Sequence, residues 1–165
     1  MGIYKQIKLV GIIFDDFANY KLPCMTLETP YCDFKCDREC GVQVCQNCAL
    51  AKADIYTYEI YNIIRAYLED DITQAVVFQG LEPLDNRSFQ EVLDFIDVFR
   101  EYSEDDIIIY TGYKEEEVGS KIDILKQQKN IIVKFGRFIP EQESVYDETL
   151  GITLASPNQY ARRIS

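Results

Sequence analysis

The sequence contains no histidine among its 165 residues. This absence excludes a Ser-His-Asp triad, a Cys-His dyad and a histidine-ligated zinc site, so thiolates must hold most of the coordination shell of any metal. The chain also lacks an apolar run near the ~20 residues that a membrane-spanning helix needs. Its first residues lack the small-residue cleavage site of a signal peptide. These absences predict a cytoplasmic protein with no membrane partner.

Positive charge is scarce as well. The chain has 17 Lys and Arg against 28 Asp and Glu, which gives a formal net charge of −11. A surface this acidic repels the phosphate backbone, so we expect no nucleic-acid partner. The length is typical of one domain, and we expect a single domain over residues 1–165.

Short apolar segments alternate with helical periodicity along the chain. Strands are predicted at 24–29, 75–78, 106–111 and 130–135, with helices between them. The first apolar stretch, 3–14, predicts one further strand. This alternation predicts an α/β domain with a largely parallel sheet. In such sheets ligands bind beyond the carboxyl ends of the strands, so motifs that follow strands are expected to meet at one edge.

Helix boundaries are predicted from periodicity and capping residues. A helical pattern begins at Ala53, and a second helix is expected to start at Ser88 with Glu91 as its capping-box partner. Residues 115–128 predict a third helix. Residues 151–155 predict a last strand, followed by a short helical turn.

Five of the six cysteines lie in the segment YCDFKCDRECGVQVCQNC, residues 31–48. In a reducing compartment such a concentration predicts metal binding or redox chemistry in preference to disulfides. Three thiolates on one loop can hold three irons of a 4Fe-4S cluster and leave the fourth iron open. Four thiolates could instead form a structural zinc site. The same residues could also supply a C-x-x-C redox pair, or simply be unrelated buried cysteines.

Two further motifs follow predicted strands. QGLEP (79–83) follows the strand at 75–78, and TGY (111–113) ends the strand at 106–111. Gly80 permits a close approach of the backbone to a ligand, and Pro83 stiffens the turn. Each motif alone could be an ordinary strand-to-helix turn. Together with the cysteine segment, they predict one functional edge of the sheet.

These segments resemble the radical S-adenosylmethionine family, and within it the activating enzymes of anaerobic ribonucleoside-triphosphate reductase. CDFKC and VCQN resemble the family's C-x-x-x-C-x-x-C loop, here interrupted by an insertion, and FQGLEP stands at the position of its G-G-E/D-P turn. YTGY, KFGRF and LASPNQY are similar to elements of the reductase activators. The resemblance covers most of the chain and implies an incomplete β/α barrel.

The resemblance implies a 4Fe-4S cluster and S-adenosylmethionine as cofactors. Cys32, Cys36 and Cys45 correspond to the cluster ligands. Cys40 is a rival to Cys45, because eight residues separate Cys36 from Cys45 where the family has two. The residues implied to contact S-adenosylmethionine are Gly80, Leu81, Glu82, Pro83, Thr111 and Gly112, and no separate catalytic side chain is implied.

The implied activity is reductive cleavage of S-adenosylmethionine to methionine and a 5′-deoxyadenosyl radical. That radical takes a hydrogen atom from a glycine of the partner, anaerobic ribonucleoside-triphosphate reductase, and the implied electron donor is a flavodoxin or a ferredoxin. Two different functions stay open: a radical enzyme that acts on another protein or peptide, and a non-catalytic four-cysteine zinc module. Lys134 and Arg137 are expected to be solvated or to pair with dipoles, without a catalytic role.

Overall fold

A computed structural model describes residues 4–45 and 47–165 of the chain. Its α-helices are α1 (Lys35–Cys40), α2 (Ile60–Glu69), α3 (Phe89–Phe99), α4 (Glu115–Val118) and α5 (Ser120–Leu125), and a 3₁₀ helix spans Cys48–Lys52. Its strands are β1 (Gln6–Leu9), β2 (Gly11–Asp16), β3 (Cys24–Thr29), β4 (Tyr56–Glu59), β5 (Ala75–Gly80), β6 (Asp106–Tyr110), β7 (Ile131–Phe135), β8 (Val145–Asp147), β9 (Ile152–Leu154) and β10 (Tyr160–Arg163).

The main sheet has the strand order β10-β7-β6-β5-β3-β2. Its central strands β3, β5, β6 and β7 pair in parallel, whereas β2 and β10 pair antiparallel at the two edges. The pairs β1–β4 and β8–β9 are also antiparallel. The sheet is therefore mixed, where the sequence predicts a largely parallel one. Closure into an incomplete barrel stays a prediction.

The two faces of the main sheet are covered differently. Along β5, Val76 and Phe78 belong to the cluster formed with α2, α3 and α5, while Ala75 and Val77 point to the opposite face. That opposite face packs against the β8–β9 hairpin and the segment around Tyr20. Within residues 4–45 and 47–165, no helix is both long and apolar enough to cross a membrane.

The edge strands differ from the sequence-based prediction. The stretch 3–14 forms two strands, β1 and β2, that belong to different sheets, and its first residue lies outside the described ranges. The predicted helical turn at the end of the chain is strand β10, in register with β7 from Tyr160 opposite Phe135. Antiparallel edge strands need only one apolar face, so their sequences give only a weak indication of strand structure.

Helix starts differ from prediction in two places. The helix predicted from Ala53 begins at Ile60, because the preceding residues form β4. Ser88 is the N-cap of α3, but its side chain makes no capping hydrogen bond. The carboxylate of Glu91 instead accepts hydrogen bonds from the backbone N–H and the ammonium of Lys8, both at 2.9 Å. The predicted capping box is therefore wrong, and Glu91 ties α3 to β1.

Candidate functional site

A cavity of about 450 Å³ lies at the carboxyl ends of the parallel strands. The cysteine segment, the turn after β5 and the residues after β6 all contribute to its wall. The predicted site residues that line it are Cys32, Cys36, Cys45, Gly80, Leu81, Glu82, Thr111 and Gly112. The edge of the sheet thus brings together the three motifs that the sequence singled out.

The other cysteines and Pro83 lie away from the cavity wall. Cys40 is exposed at the end of α1, and Pro83 is buried behind the turn. Cys48 accepts a hydrogen bond from the side chain of Gln43. Cys24 is buried in the sheet, where its thiol donates to the carbonyl of Asp16 at 3.3 Å. Of the two candidates for the third thiol, the structure places Cys45 at the cavity.

The insertion between Cys36 and Cys45 folds into a helix and a turn. Helix α1 is capped at its end by Gly41, which has a φ of 71° and donates its N–H to the carbonyl of Asp37 at 3.0 Å. The carboxylate of Asp37 accepts the backbone N–H groups of Val44 and Cys45, both at 2.8 Å. The insertion therefore reverses the chain direction and returns Cys45 to the cavity.

Backbone N–H groups point at two of the cavity thiols. Phe34 donates its N–H to the sulfur of Cys32 at 3.2 Å, and Asn47 donates its N–H to the sulfur of Cys45. Burial nevertheless raises the pKa of Cys32 to about 12, and it raises the pKa values of Cys36 and Cys45. A bound metal cation would favour the thiolate form of these groups, because it replaces the proton on each sulfur.

The turn after β5 is anchored to the end of β3. Leu81 donates its N–H to the carbonyl of Thr29 at 3.1 Å, and Glu82 donates its N–H to the carbonyl of Tyr31 at 2.8 Å. The turn thereby continues the parallel pairing of β3 and β5 to the cysteine segment. Its position relative to Cys32 is fixed by main-chain hydrogen bonds.

Gly80 is required at the first position of this turn. Its φ is 95°, and a Cβ there would lie 2.8 Å from the backbone nitrogen of Thr29 and 2.9 Å from the Cα of Glu28. No other residue fits without displacing β3. The carbonyl of Gly80 accepts a hydrogen bond from the side-chain amide of Asn47 at 3.0 Å, which joins the end of the cysteine segment to the turn.

The carboxylate of Glu82 joins the ends of β5 and β6. It is buried, and it accepts the N–H of Leu84 at 3.0 Å and the N–H of Gly112 at 2.9 Å. Burial raises the pKa of Glu82 to about 7, although both hydrogen bonds favour the charged form. The cavity therefore has a carboxyl group that exchanges a proton near neutral pH.

Lys134 also lines the cavity, near the end of the apolar strand β7. It is buried, donates to the carbonyl of Gly136 at 3.1 Å and lies 5.6 Å from the centre of the Tyr110 ring. Burial lowers the pKa of Lys134 to about 8, while Glu82 and Cys36 favour its charged form. Of the two expected alternatives for Lys134, solvation is wrong, and the contact with the Gly136 carbonyl is the other alternative, pairing with a dipole. A lysine inside the run IIVKF was the signal for a buried cation.

The three cavity thiols fit a 4Fe-4S cluster. Among residues 4–45 and 47–165, no three Cys, Asp or Glu side chains converge closely enough to hold one metal ion. A 4Fe-4S cluster places each thiolate on a different iron. Three thiols around one cavity are suited to that arrangement.

Residues 24–159 match the family described as the 4Fe-4S single cluster domain. The chain belongs to this family. The matched segment begins with β3 and ends just before β10, so it contains the cysteine segment and every strand of the parallel core. Membership in the 4Fe-4S single cluster domain family confirms the prediction of an iron–sulfur protein. No curated protein and no solved structure matches the chain.

Proposed function

We propose that this iron–sulfur protein is a radical S-adenosylmethionine enzyme that generates a glycyl radical on anaerobic ribonucleoside-triphosphate reductase. One observation carries the proposal: Cys32, Cys36 and Cys45 line the same cavity as the turn at Gly80 and the Thr111-Gly112 pair. Three thiolates leave one iron of a 4Fe-4S cluster without a protein ligand. A small chelating molecule in the cavity would complete that site.

When bound, the cluster would pass one electron, received from an external reductant, to the sulfonium of S-adenosylmethionine, which would give methionine and a 5′-deoxyadenosyl radical. The protein contributes binding, orientation and electrostatics. Cys32, Cys36 and Cys45 would hold the cluster, and the N–H donors from Phe34 and Asn47 stabilise two of these thiolates.

The cavity offers complementary charges for the methionyl end of the ligand. Lys134 supplies a buried positive charge suited to a carboxylate, and Glu82 supplies a buried carboxyl group with a pKa near neutrality. Gly80 contributes its main chain to the cavity wall, because glycine has no side chain. These groups favour a zwitterionic ligand such as an amino acid or a sulfonium derivative of one.

The dimensions of the cavity agree with a nucleoside-sized ligand. Its volume of about 450 Å³ lies within the range of roughly 300–1,000 Å³ that small-molecule sites occupy. One wall is the β8–β9 hairpin, through Ile152, Thr153 and Leu154. Because this hairpin is short, it covers little of that face of the sheet. Such an open face suits a polypeptide substrate that must approach the radical carbon of the 5′-deoxyadenosyl group.

Anaerobic reconstitution tests the chemistry. The protein is incubated with iron and sulfide, reduced with dithionite and mixed with S-adenosylmethionine, and 5′-deoxyadenosine is quantified. We expect product with the wild type and with Cys48→Ala, and none with Cys36→Ala. A protein that holds the cluster but yields no deoxyadenosine would refute the proposed activity. A protein that retains zinc in place of iron would favour the zinc module.

The target needs a separate test. Purified anaerobic ribonucleoside-triphosphate reductase is added to the reduced protein with S-adenosylmethionine, and a glycyl radical is sought by electron paramagnetic resonance. A reductase whose radical glycine is replaced by alanine is the control. Deoxyadenosine formation without a radical on the reductase would favour another protein or peptide as the target.

A further inference from the structure

Arg137 follows β7 and is almost completely buried, with 5% of its side chain exposed. Its Nη2 donates to both carboxylate oxygens of Glu117, at 2.7 and 2.8 Å. Its Nε lies 3.3 Å from the carboxylate of Glu39, an ion-pair distance without hydrogen-bond alignment. The expectation that Arg137 is solvated or pairs with dipoles is wrong, because it is buried and its partners are the carboxylates of Glu39 and Glu117.

The partners of Arg137 belong to the elements around the cysteine segment. Glu39 is in α1, the helix that also carries Cys36, and Glu117 is in α4. Lys35, the first residue of α1, pairs with the same Glu117 at 2.6 Å. Arg137 therefore connects the end of β7 to α1, directly through Glu39 and indirectly through Glu117.

Arg137 and the sulfur of Cys36 both lie close to Gly112. A Cβ built on Gly112 would be 3.7 Å from the Cys36 sulfur and 3.9 Å from Cγ of Arg137. Both side chains therefore approach the same side of Gly112, where a carboxylate oxygen of Glu82 also lies 3.7 Å from that Cβ. Among the described residues, Nε and Nη1 of Arg137 make no hydrogen bond although both atoms are buried. A buried cation with unused donors is costly unless negative charge compensates it.

We propose that Arg137 is a positioning residue of the cluster: it holds Cys36 at the cavity, and its buried positive charge raises the reduction potential of the bound cluster. The inference rests on ligation by Cys32, Cys36 and Cys45 from the proposed function. It depends neither on cleavage of S-adenosylmethionine nor on the identity of the target.

The electrostatic argument has a definite sign. Reduction adds one negative charge to the cluster, and a fixed cation nearby stabilises the reduced form more than the oxidised form. Arginine keeps its charge at every accessible pH. Glu117 and Glu39 offset part of that charge. Removing Arg137 must therefore lower the potential, whereas neutralising Glu117 must raise it.

The test uses the reconstituted full chain and four variants: Arg137→Gln, Arg137→Lys, Glu117→Gln and the control Arg100→Gln. Arg100 is a matched arginine, since it donates to main-chain carbonyls such as that of Lys129, at 3.0 Å, away from the cavity. The measurements are iron per chain, the rate of iron loss to a chelator, and the midpoint potential, which is followed by electron paramagnetic resonance during a redox titration.

We expect a more negative potential and several-fold faster loss of iron in Arg137→Gln. Arg137→Lys should restore most of the potential, since it keeps the charge. It should restore less of the iron retention, since one ammonium cannot contact Glu117 and Glu39 as Nη2 and Nε of the guanidinium do. Glu117→Gln should shift the potential in the positive direction. Arg100→Gln should behave as the wild type.

An unchanged potential in Arg137→Gln would overturn the inference. So would shifts of the same sign in Arg137→Gln and Glu117→Gln, because a merely structural role moves both variants alike. If Arg137→Gln binds no iron, the potential of Glu117→Gln tests the inference instead. A positive shift would support it, and a negative shift or no shift would overturn it. A wild type that binds iron but makes no deoxyadenosine would refute the proposed function alone, whereas one that binds no iron would refute both.

Discussion

One carboxylate oxygen of Asp37 accepts the backbone N–H groups of both Val44 and Cys45, each at 2.8 Å. These two hydrogen bonds hold the two ends of the insertion together and thereby place the thiol of Cys45 at the cavity. Hydrogen bonds to a charged acceptor contribute about 1.5–3 kcal/mol each when buried and less when half-exposed as here. Asp37→Ala should therefore loosen Cys45, and we expect about tenfold faster loss of iron to a chelator.

Two further variants separate this effect from a general charge change. Asp37→Asn keeps a carbonyl oxygen that can accept the same N–H groups, so it should retain more iron than Asp37→Ala. Asp54→Ala removes an exposed carboxylate outside the cavity wall and should leave the chelation rate unchanged. Equal rates in Asp37→Ala and the wild type would show that the insertion holds Cys45 without this carboxylate.

The position of the cysteines predicts a clear division among single substitutions. Cys45→Ala should lose nearly all bound iron, because Cys45 lines the cavity with Cys32 and Cys36. Cys40→Ala removes an exposed thiol outside the cavity wall and should retain the cluster. Iron and acid-labile sulfide per chain measure both. The reverse pattern, with Cys40 essential and Cys45 dispensable, would assign the third ligand to Cys40.

Glu82 should make the stability of the iron-free protein depend on pH. Its pKa of about 7 in the folded protein exceeds the value of 4.5 for an unperturbed glutamate, so the folded state binds this proton more tightly than the unfolded chain does. The associated stability is complete below pH 4.5 and is lost as the pH rises towards 7. At about 1.36 kcal/mol per pKa unit, the loss is on the order of 3 kcal/mol.

Urea unfolding of the iron-free protein at about pH 5 and about pH 8 measures this effect. Glu82→Gln cannot titrate, so its stability should fall less over that interval than that of the wild type. Glu69→Gln, on the exposed surface of α2, is the control and should follow the wild type. Parallel pH profiles for Glu82→Gln and the wild type would mean that Glu82 stays charged in the folded protein.

Gly80→Ala tests the close packing of the turn against β3. The added methyl group would lie 2.8 and 2.9 Å from main-chain atoms of β3, and the φ of 95° at this position is unfavourable for alanine. Strain and overpacking together should cost about 3 kcal/mol or more. Gly41→Ala has a φ of 71° but no atom within 4 Å, so it should cost only about 1 kcal/mol. Thermal unfolding of both variants gives the comparison, and similar losses would refute the steric argument.

The sequence predicted the buried parallel strands better than the edges of the sheet. The strand predicted at residues 24–29 has the bounds of β3, because Pro30 follows CMTLET directly and marks its end. The strand β10 was missed, because its sequence YARR has exposed positions and two charges. Residues 115–128 were predicted as one helix, but Gly119, with a φ of 61°, divides it into α4 and α5.

At the candidate site, the sequence found the motifs but not the charges that pack around them. Burial decides the properties of Lys134 and Arg137, and burial depends on how the end of β7 meets α1 and α4. The sequence also left the third thiol open between Cys40 and Cys45. Only the folded insertion places Cys45 at the cavity wall.

The insertion held by Asp37 has a consequence for the detection of related chains. A search pattern that fixes two residues between the second and third cavity cysteines, here Cys36 and Cys45, would not detect this sequence. A pattern that allows a variable gap, with an acidic residue directly after the second cysteine and a glycine closing a short helix, would find it. Applied to protein sequences at large, such a pattern would retrieve chains in which the position of the third cavity cysteine depends on how the intervening segment folds and not on its length.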